Sequence, residues 1–288
     1  MAKKKTVHWH ESTTTSHDGT KLGFLTTGEG PGLLVVPGTF RRAHHYAVLA
    51  ANLADTHTVH VLDRRGRGPS GPQGPGYNLD REVEDALAVL GHTDTDLVFG
   101  HSYGGLIGLH LALHRTLTAL VAYEPAVSMD GSFDSSWVSA FTGRVTVGQT
   151  NGAMALFLKR MRMLPFSDAP MPVFHALAAL ILSGHEGRDN RAMVPTMPGE
   201  LREVVRLDSD SARYAVISTP TLLLAGDKSP AYLTGILPEL ARIIPGAHHH
   251  LISGLDHNAP DLGAPATIAD QIRAFTTRHP CRRDTVTS

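Results

Sequence analysis

Gly100, His101, Ser102, Tyr103, Gly104 and Gly105 stand where an apolar run meets an apolar-periodic helix. In that setting Gly-x-Ser-x-Gly makes a sharp strand-to-helix turn that exposes the serine hydroxyl as a nucleophile, here Ser102. The glycines have a steric reason, because side chains at 100 and 104 would collide with the neighbouring strand and helix around a strained serine. A hydroxyl that cleaves esters or amides at neutral pH also needs a base, a group that orients the base, and N–H donors for the oxyanion. His257 is the candidate base among eighteen histidines. It lies just past the last predicted strand on a glycine-containing turn, at the carboxyl end where open α/β sheets place their sites. Chain order allows two orienting acids, Glu124 and Asp227, each at the end of a predicted strand between Ser102 and His257. Asp256 adjoins His257 and is poorly placed to reach the far nitrogen of that ring. The backbone N–H of Tyr103, first after the nucleophile at a helix start, is one expected oxyanion donor.

Other polar clusters invite plainer readings. Consecutive histidines on a strand face opposite ways, so of His248, His249 and His250 only two could share an ion, and spacing supplies no third ligand. They are read as surface residues, and no metal is expected. His101 is read as packing inside the turn. Asp63 with Arg64, Arg65 and Arg67 is read as a structural loop, the aspartate holding backbone amides and the arginines partly solvated. No glycine-rich phosphate loop precedes a helix, so no cofactor is expected.

These residues need a scaffold that delivers them to one edge. Short apolar runs alternate with helical patterns, which implies an α/β fold around a largely parallel sheet. Val7 to His10 and Leu22 to Thr27, joined at His17, Asp18 and Gly19, predict an edge hairpin. Buried strands follow at 33–36, 59–62, 97–99 and 117–123, with helices at 46–53, 79–90 and beyond Ser102. The stretch from Arg65 to Gly76 is dense in Gly and Pro and must be a loop. From about 126 to 216 the alternation stops. Helical stretches carrying Met154, Phe157, Met161, Met163 and Phe174 suggest an inserted cap. Alternation resumes with a strand at 220–225, a helix at 232–243, a strand at 247–252 and a closing helix at 268–275. The expected division is a core of 1–125 and 217–288 with a helical cap of 126–216.

Composition sets outer bounds. The chain has 288 residues, 42% hydrophobic and 18% charged, with a net charge of -1. That balance gives no electrostatic case for nucleic acid or an anionic membrane as partner. The basic start at Lys3 to Lys5 is too short, and lacks the apolar core, for a signal or anchor. The single cysteine, Cys281, sits in a polar C-terminal segment, so no internal disulfide can form and a cytoplasmic location is expected.

Val36, Pro37, Gly38 and Thr39, the loop from Asp63 to Ser70, the Ser102 turn, and Gly254 to His257 together resemble the α/β-hydrolase family over roughly residues 7–277. The resemblance implies a mostly parallel eight-stranded sheet flanked by helices, and a cap. It makes Thr39 the expected second oxyanion donor, in a turn where Pro37 replaces the usual histidine. Most relatives carry the acid in a Gly-x-x-Asp turn after the later strand. Here Gly226, Asp227, Lys228 and Ser229 place serine at that position and the aspartate two residues early. Some relatives, including haloalkane dehalogenases, place the acid after the earlier strand, which favours Glu124 over Asp227. A serine nucleophile argues against dehalogenase and epoxide hydrolase chemistry. What the resemblance implies is a serine hydrolase of a small or medium apolar ester, lactone or thioester, acting through an acyl-enzyme on Ser102. C–C bond hydrolysis, a lyase or isomerase using the same residues, and a small-molecule receptor are the alternatives.

Overall fold

The computed structural model describes residues 8–279. Lys3 to Lys5, Val7 and Cys281 lie outside them. In chain order the first half runs β1 (His10–Thr15), β2 (Lys21–Thr27), β3 (Gly32–Val36), α1 (Ala47–Leu53), β4 (Thr58–Asp63), α2 (Leu79–Thr93), β5 (Leu97–His101), α3 (Tyr103–His114) and β6 (Ala119–Tyr123). Five helices follow, α4 (Val138–Thr146), α5 (Thr150–Met161), α6 (Met171–Ser183), α7 (Gly187–Met193) and α8 (Met197–Arg206). The chain then returns through β7 (Thr221–Gly226), α9 (Ala231–Thr234), α10 (Leu237–Ile243), β8 (His248–Ile252) and α11 (Pro265–Arg278).

The eight strands form one sheet in the order β1-β2-β4-β3-β5-β6-β7-β8. Only the pairings of β2 with β1 and β4 are antiparallel. Alternate side chains divide between the two faces as the pleat requires. Leu34, Val36 and Val98 pack with α2 and α3, while Leu33, Val35 and Phe99 pack with α1 and α11. Each such apolar side chain contributes about 1.5–3 kcal/mol on burial, so continuous apolar runs such as Leu33 to Val36 suit strands covered on both faces.

The helices show why their sequences end where they do. Asn78 caps α2, its side chain accepting from the Arg81 N–H at 3.1 Å, which satisfies a donor the helix cannot. In α3 every residue from Tyr103 to Ala112 is buried, the pattern of a helix wrapped by protein on all sides.

Three expectations need correction. The first hairpin strand runs His10–Thr15 and meets the expected strand, Val7 to His10, only at His10, with Val7 outside the described residues. As an edge strand it is polar, with Glu11, Ser12 and three threonines, so apolar alternation does not mark it. The helix expected at 232–243 is two helices, because Gly235 ends α9 and Pro238 sits in the first turn of α10. The third concerns the arginines after β4. Arg64, Arg65 and Arg67 are buried, each against carboxylates supplied from far along the chain.

Helices α4 to α8 carry a core of their own, built on Trp137, Phe141, Met154, Phe157 and Phe174. Trp137 meets Phe141 and Phe157 edge-on at 5.8 and 6.1 Å, a favoured aromatic geometry. Phe40, from the turn after β3, belongs to the same cluster and ties it to the sheet.

Candidate active site

Parallel neighbours β5, β6 and β7 end at the same edge, and His101, Tyr123 and Leu224 lie in register there. Ser102 and Glu124, the residues after β5 and β6, therefore stand next to each other at that edge, the Ser102 N–H donating to the Tyr123 carbonyl at 2.9 Å. Ser102 follows β5 with φ 56 and ψ −119, a conformation side chains rarely adopt. Its surroundings explain the glycines. A Cβ on Gly104 would lie 2.0 Å from the Val36 carbonyl oxygen, and one on Gly100 2.3 Å from that of Gly104. Tyr103 opens α3, so its N–H has no acceptor within the helix.

Glu124 follows β6, also at positive φ, and is fully buried. Its Oε2 lies 2.6 Å from His257 Nδ1. Its Oε1 accepts from the Gly226 N–H at 2.9 Å and the Ser229 hydroxyl at 2.5 Å. Asp227 is engaged elsewhere: its exposed carboxylate accepts from the Ser253 hydroxyl at 2.8 Å and the Gly254 N–H at 2.7 Å. Those bonds brace the turn that carries His257 and hold the aspartate pKa below the ordinary value. Asp256 likewise stays local, its side chain accepting from the Asn258 N–H.

Thr39 and Gly38 lie over the nucleophile. A Cβ on Gly38 would approach that of Ser102 to 3.1 Å. The Gly38 N–H is taken by the Tyr46 hydroxyl oxygen at 3.1 Å, which leaves Thr39 as the next amide along the turn. The Thr39 hydroxyl donates to Glu200 Oε2 at 2.7 Å. Glu200, on α8, also pairs with Arg64 at 3.0 Å and with Arg67. Burial pushes its carboxyl up, but the two guanidiniums prevail and the net pKa is lowered. Arg41 binds the next loop, pairing with Asp261, donating to Asn258 Oδ1 at 3.1 Å and to the Phe40 carbonyl at 3.2 Å. Asp63 accepts from the Ala43 N–H at 2.8 Å, as a structural loop residue should.

Ser102 and His257 line a cavity of about 370 Å³ whose wall includes residues of α5 to α8. Phe133, Met154, Phe157, Met161, Met163, Leu201 and Leu233 make it mostly apolar. Among the described residues its one arginine, Arg41, is engaged by Asp261 and Asn258. At its rim, His44, His45 and Glu186 bring three ligand-type atoms within 4.8 Å of one another. They are poorly suited to a metal, because His45 Nδ1 accepts the Arg42 N–H at 2.8 Å. The ring proton must then sit on Nε2, the atom that faces Glu186. His248, His249 and His250 are exposed on β8. Sequence reasoning missed Tyr46, Arg41 and Glu200, for which no local motif exists. Ser229 carried a signal, as the residue in the usual acid position.

A family described as "Alpha/beta hydrolase family" matches residues 33–271. The chain belongs to that family. This alpha/beta hydrolase is 30% identical to an alpha/beta hydrolase of solved structure from Sphaerobacter thermophilus, with a TM-score of 0.78 over 92% of this chain and 99% of that one. Among curated proteins it is 35% identical over 105 residues to "Lipase LipV" of Mycobacterium tuberculosis, covering 35% of this chain and 39% of that protein. It is 31% identical over 149 residues to the pimeloyl-[acyl-carrier protein] methyl ester esterase of Chromobacterium violaceum, covering 50% of this chain and 57% of that protein. The chain thus matches between about two fifths and three fifths of those relatives' length. No helix among the described residues is long and apolar enough to cross a membrane.

Proposed function

We propose that this hydrolase cleaves uncharged esters of small or medium apolar acyl groups through an acyl-enzyme on Ser102. His257 takes the serine proton and returns it to the leaving group, and Glu124 holds the imidazole in the tautomer with its proton on Nδ1. The backbone N–H groups of Tyr103 and Thr39 receive the oxyanion. Water then attacks the acyl-enzyme with His257 again as base. Residues 126–216 act as the cap that encloses the acyl group. The observation that carries the reading is the 2.6 Å contact of Glu124 with His257 Nδ1 beside a strained Ser102 on one apolar cavity. Among the described residues Arg41 is the cavity's one guanidinium, and its engagement by Asp261 and Asn258 favours neutral esters over substrates with a carboxylate.

Turnover of p-nitrophenyl acetate and butyrate tests this. The wild type turns over many equivalents, Ser102→Ala falls to background, and Glu124→Gln loses about 10²–10⁴-fold in kcat. Asp227→Asn stays within about threefold, since its carboxylate only braces a turn. A Ser102→Ala variant that keeps its activity would remove the nucleophile assignment. A wild type inert toward these esters would move the weight to the lyase or receptor alternatives.

A further inference from the structure

A chain of hydrogen bonds joins the turn over Ser102 to the backbone of His257. The Gly38 N–H donates to the Tyr46 hydroxyl oxygen at 3.1 Å, that hydroxyl lies 2.7 Å from His101 Nδ1, and His101 Nε2 lies 2.8 Å from the His257 carbonyl oxygen. The chemistry of the two ends fixes every proton between them. A backbone N–H only donates and a carbonyl only accepts, so His101 Nε2 must carry a proton. The ring is 2% exposed and faces the Arg41 guanidinium, the His257 ring at 4.8 Å, Tyr46 at 5.9 Å and Tyr123 at 5.8 Å. Burial, His257 and Arg41 drive its pKa well below the ordinary imidazole value, so it is neutral. Nδ1 is therefore bare, and the Tyr46 O–H must point to it.

We propose that His101 and Tyr46 are positioning residues for the reaction at Ser102, locking the oxyanion turn and the loop of His257 to the nucleophile as one unit. The proposal rests on the serine-hydrolase reading for what is positioned. Its geometric basis is separate. His101 is the residue before the nucleophile, so one rigid ring references the serine, the Gly38 to Thr39 turn and the His257 backbone to each other. Occupation of the Gly38 N–H also keeps that amide from competing with Thr39 for the oxyanion. Pro37 leaves the turn without the histidine usual among relatives, and the Tyr46 to His101 link braces it from beneath.

Tyr46→Phe removes one oxygen, and His101→Asn retains an acceptor near Nδ1 but cannot reach the His257 carbonyl. Each should lower kcat for p-nitrophenyl butyrate by about 10- to 100-fold, the scale of a sub-ångström misplacement of reacting groups, with KM within about twofold. His101→Gln, whose amide nitrogen can take the place of Nε2–H, should recover part of the loss. The double variant Tyr46→Phe/His101→Asn should be little worse than the poorer single one, since both break the same relay. Multiplying losses, or an unchanged kcat in both singles, would overturn the positioning role. Nitrogen NMR provides a readout that needs no turnover. The imidazole signal absent from His101→Asn should report an Nε2–H tautomer that does not titrate between about pH 5 and 9. A titrating ring, or one protonated on Nδ1, would sink the relay even in an active enzyme. An inert wild type whose His101 shows the Nε2–H tautomer would instead count against the ester-hydrolase reading alone.

Discussion

On the serine-hydrolase reading Glu124 is the acid, and Ser229, at the position where the family resemblance leads one to expect an acid, donates its hydroxyl to that carboxylate. The two positions follow the neighbouring strands β6 and β7 and are hydrogen-bonded to each other, so an acid at 229 is a test of where the histidine accepts its partner. Glu124 is buried and accepts three hydrogen bonds. Removing one donor from such a carboxylate costs about 1–3 kcal/mol. Ser229→Ala should therefore lower kcat/KM about tenfold without a large change in KM, measured on p-nitrophenyl butyrate. Glu124→Ala should be far more damaging. Moving the acid back, in Glu124→Ala/Ser229→Asp, should restore at least tenfold over Glu124→Ala alone. A double variant as inactive as Glu124→Ala would show that the base needs its acid on the β6 side. Sequence ranked Glu124 above Asp227 through resemblance alone, because chain order suits both and what lies beside each is set by the fold. Asp227 is spent on Ser253 and Gly254, partners that only the folded turn brings within reach.

Elements were legible in proportion to how fully they are buried on a repeating pattern. Strands β3, β5 and β6 are buried on both faces, so unbroken apolar runs such as Leu33 to Val36 announce them. Strand β1 is an exposed edge of polar residues and leaves no such trace. The buried arginines were misread for a related reason: Glu82, Asp85 and Glu200, which pair with them, lie on other elements. Glycines inside helices test this positional logic directly. Gly91 in α2 has open space where a Cβ would go, whereas Gly104 in α3 would drive one into the Val36 carbonyl. Gly91→Ala should raise stability by about 0.5–1 kcal/mol, which is a few degrees in Tm at most for a chain of this size. Gly104→Ala should destabilise the protein and abolish activity, because β3 and α3 would have to separate at the nucleophile. Thermal scans of the two variants check both signs. Equal shifts in the same direction would contradict the elbow geometry.

Across the whole molecule the buried histidines contribute to how the fold responds to acid between about pH 6.5 and 4. Its net charge of -1 counts all eighteen as neutral. Burial holds the pKa of His60 down at about 4 and that of His110 at about 3, and lowers those of His57 and His101 as well. In the unfolded chain the same rings titrate near the ordinary value of about 6.5. Below that pH the unfolded state takes up protons that the native state refuses, so stability falls as pH falls. The stabilisation is complete above about pH 6.5 and is lost progressively toward the native values near 3 to 4. His60 and His110 alone imply a slope of roughly 3 kcal/mol per pH unit around pH 5, at about 1.4 kcal/mol per unit for each proton. The Tyr214 hydroxyl lies 3.2 Å from His110, and Thr26 lies 2.9 Å from His60. Neither partner is a carboxylate that could favour the charged ring. Urea midpoints should therefore hold level from pH 8 to about 7 and drop steeply between 6 and 4.5. Replacing His110 with Gln should flatten that drop by about one proton's worth, at a cost in stability near pH 8. A midpoint that stays constant down to pH 4.5 would mean that these rings charge freely in the native state, and so that their surroundings are wetter than their burial implies.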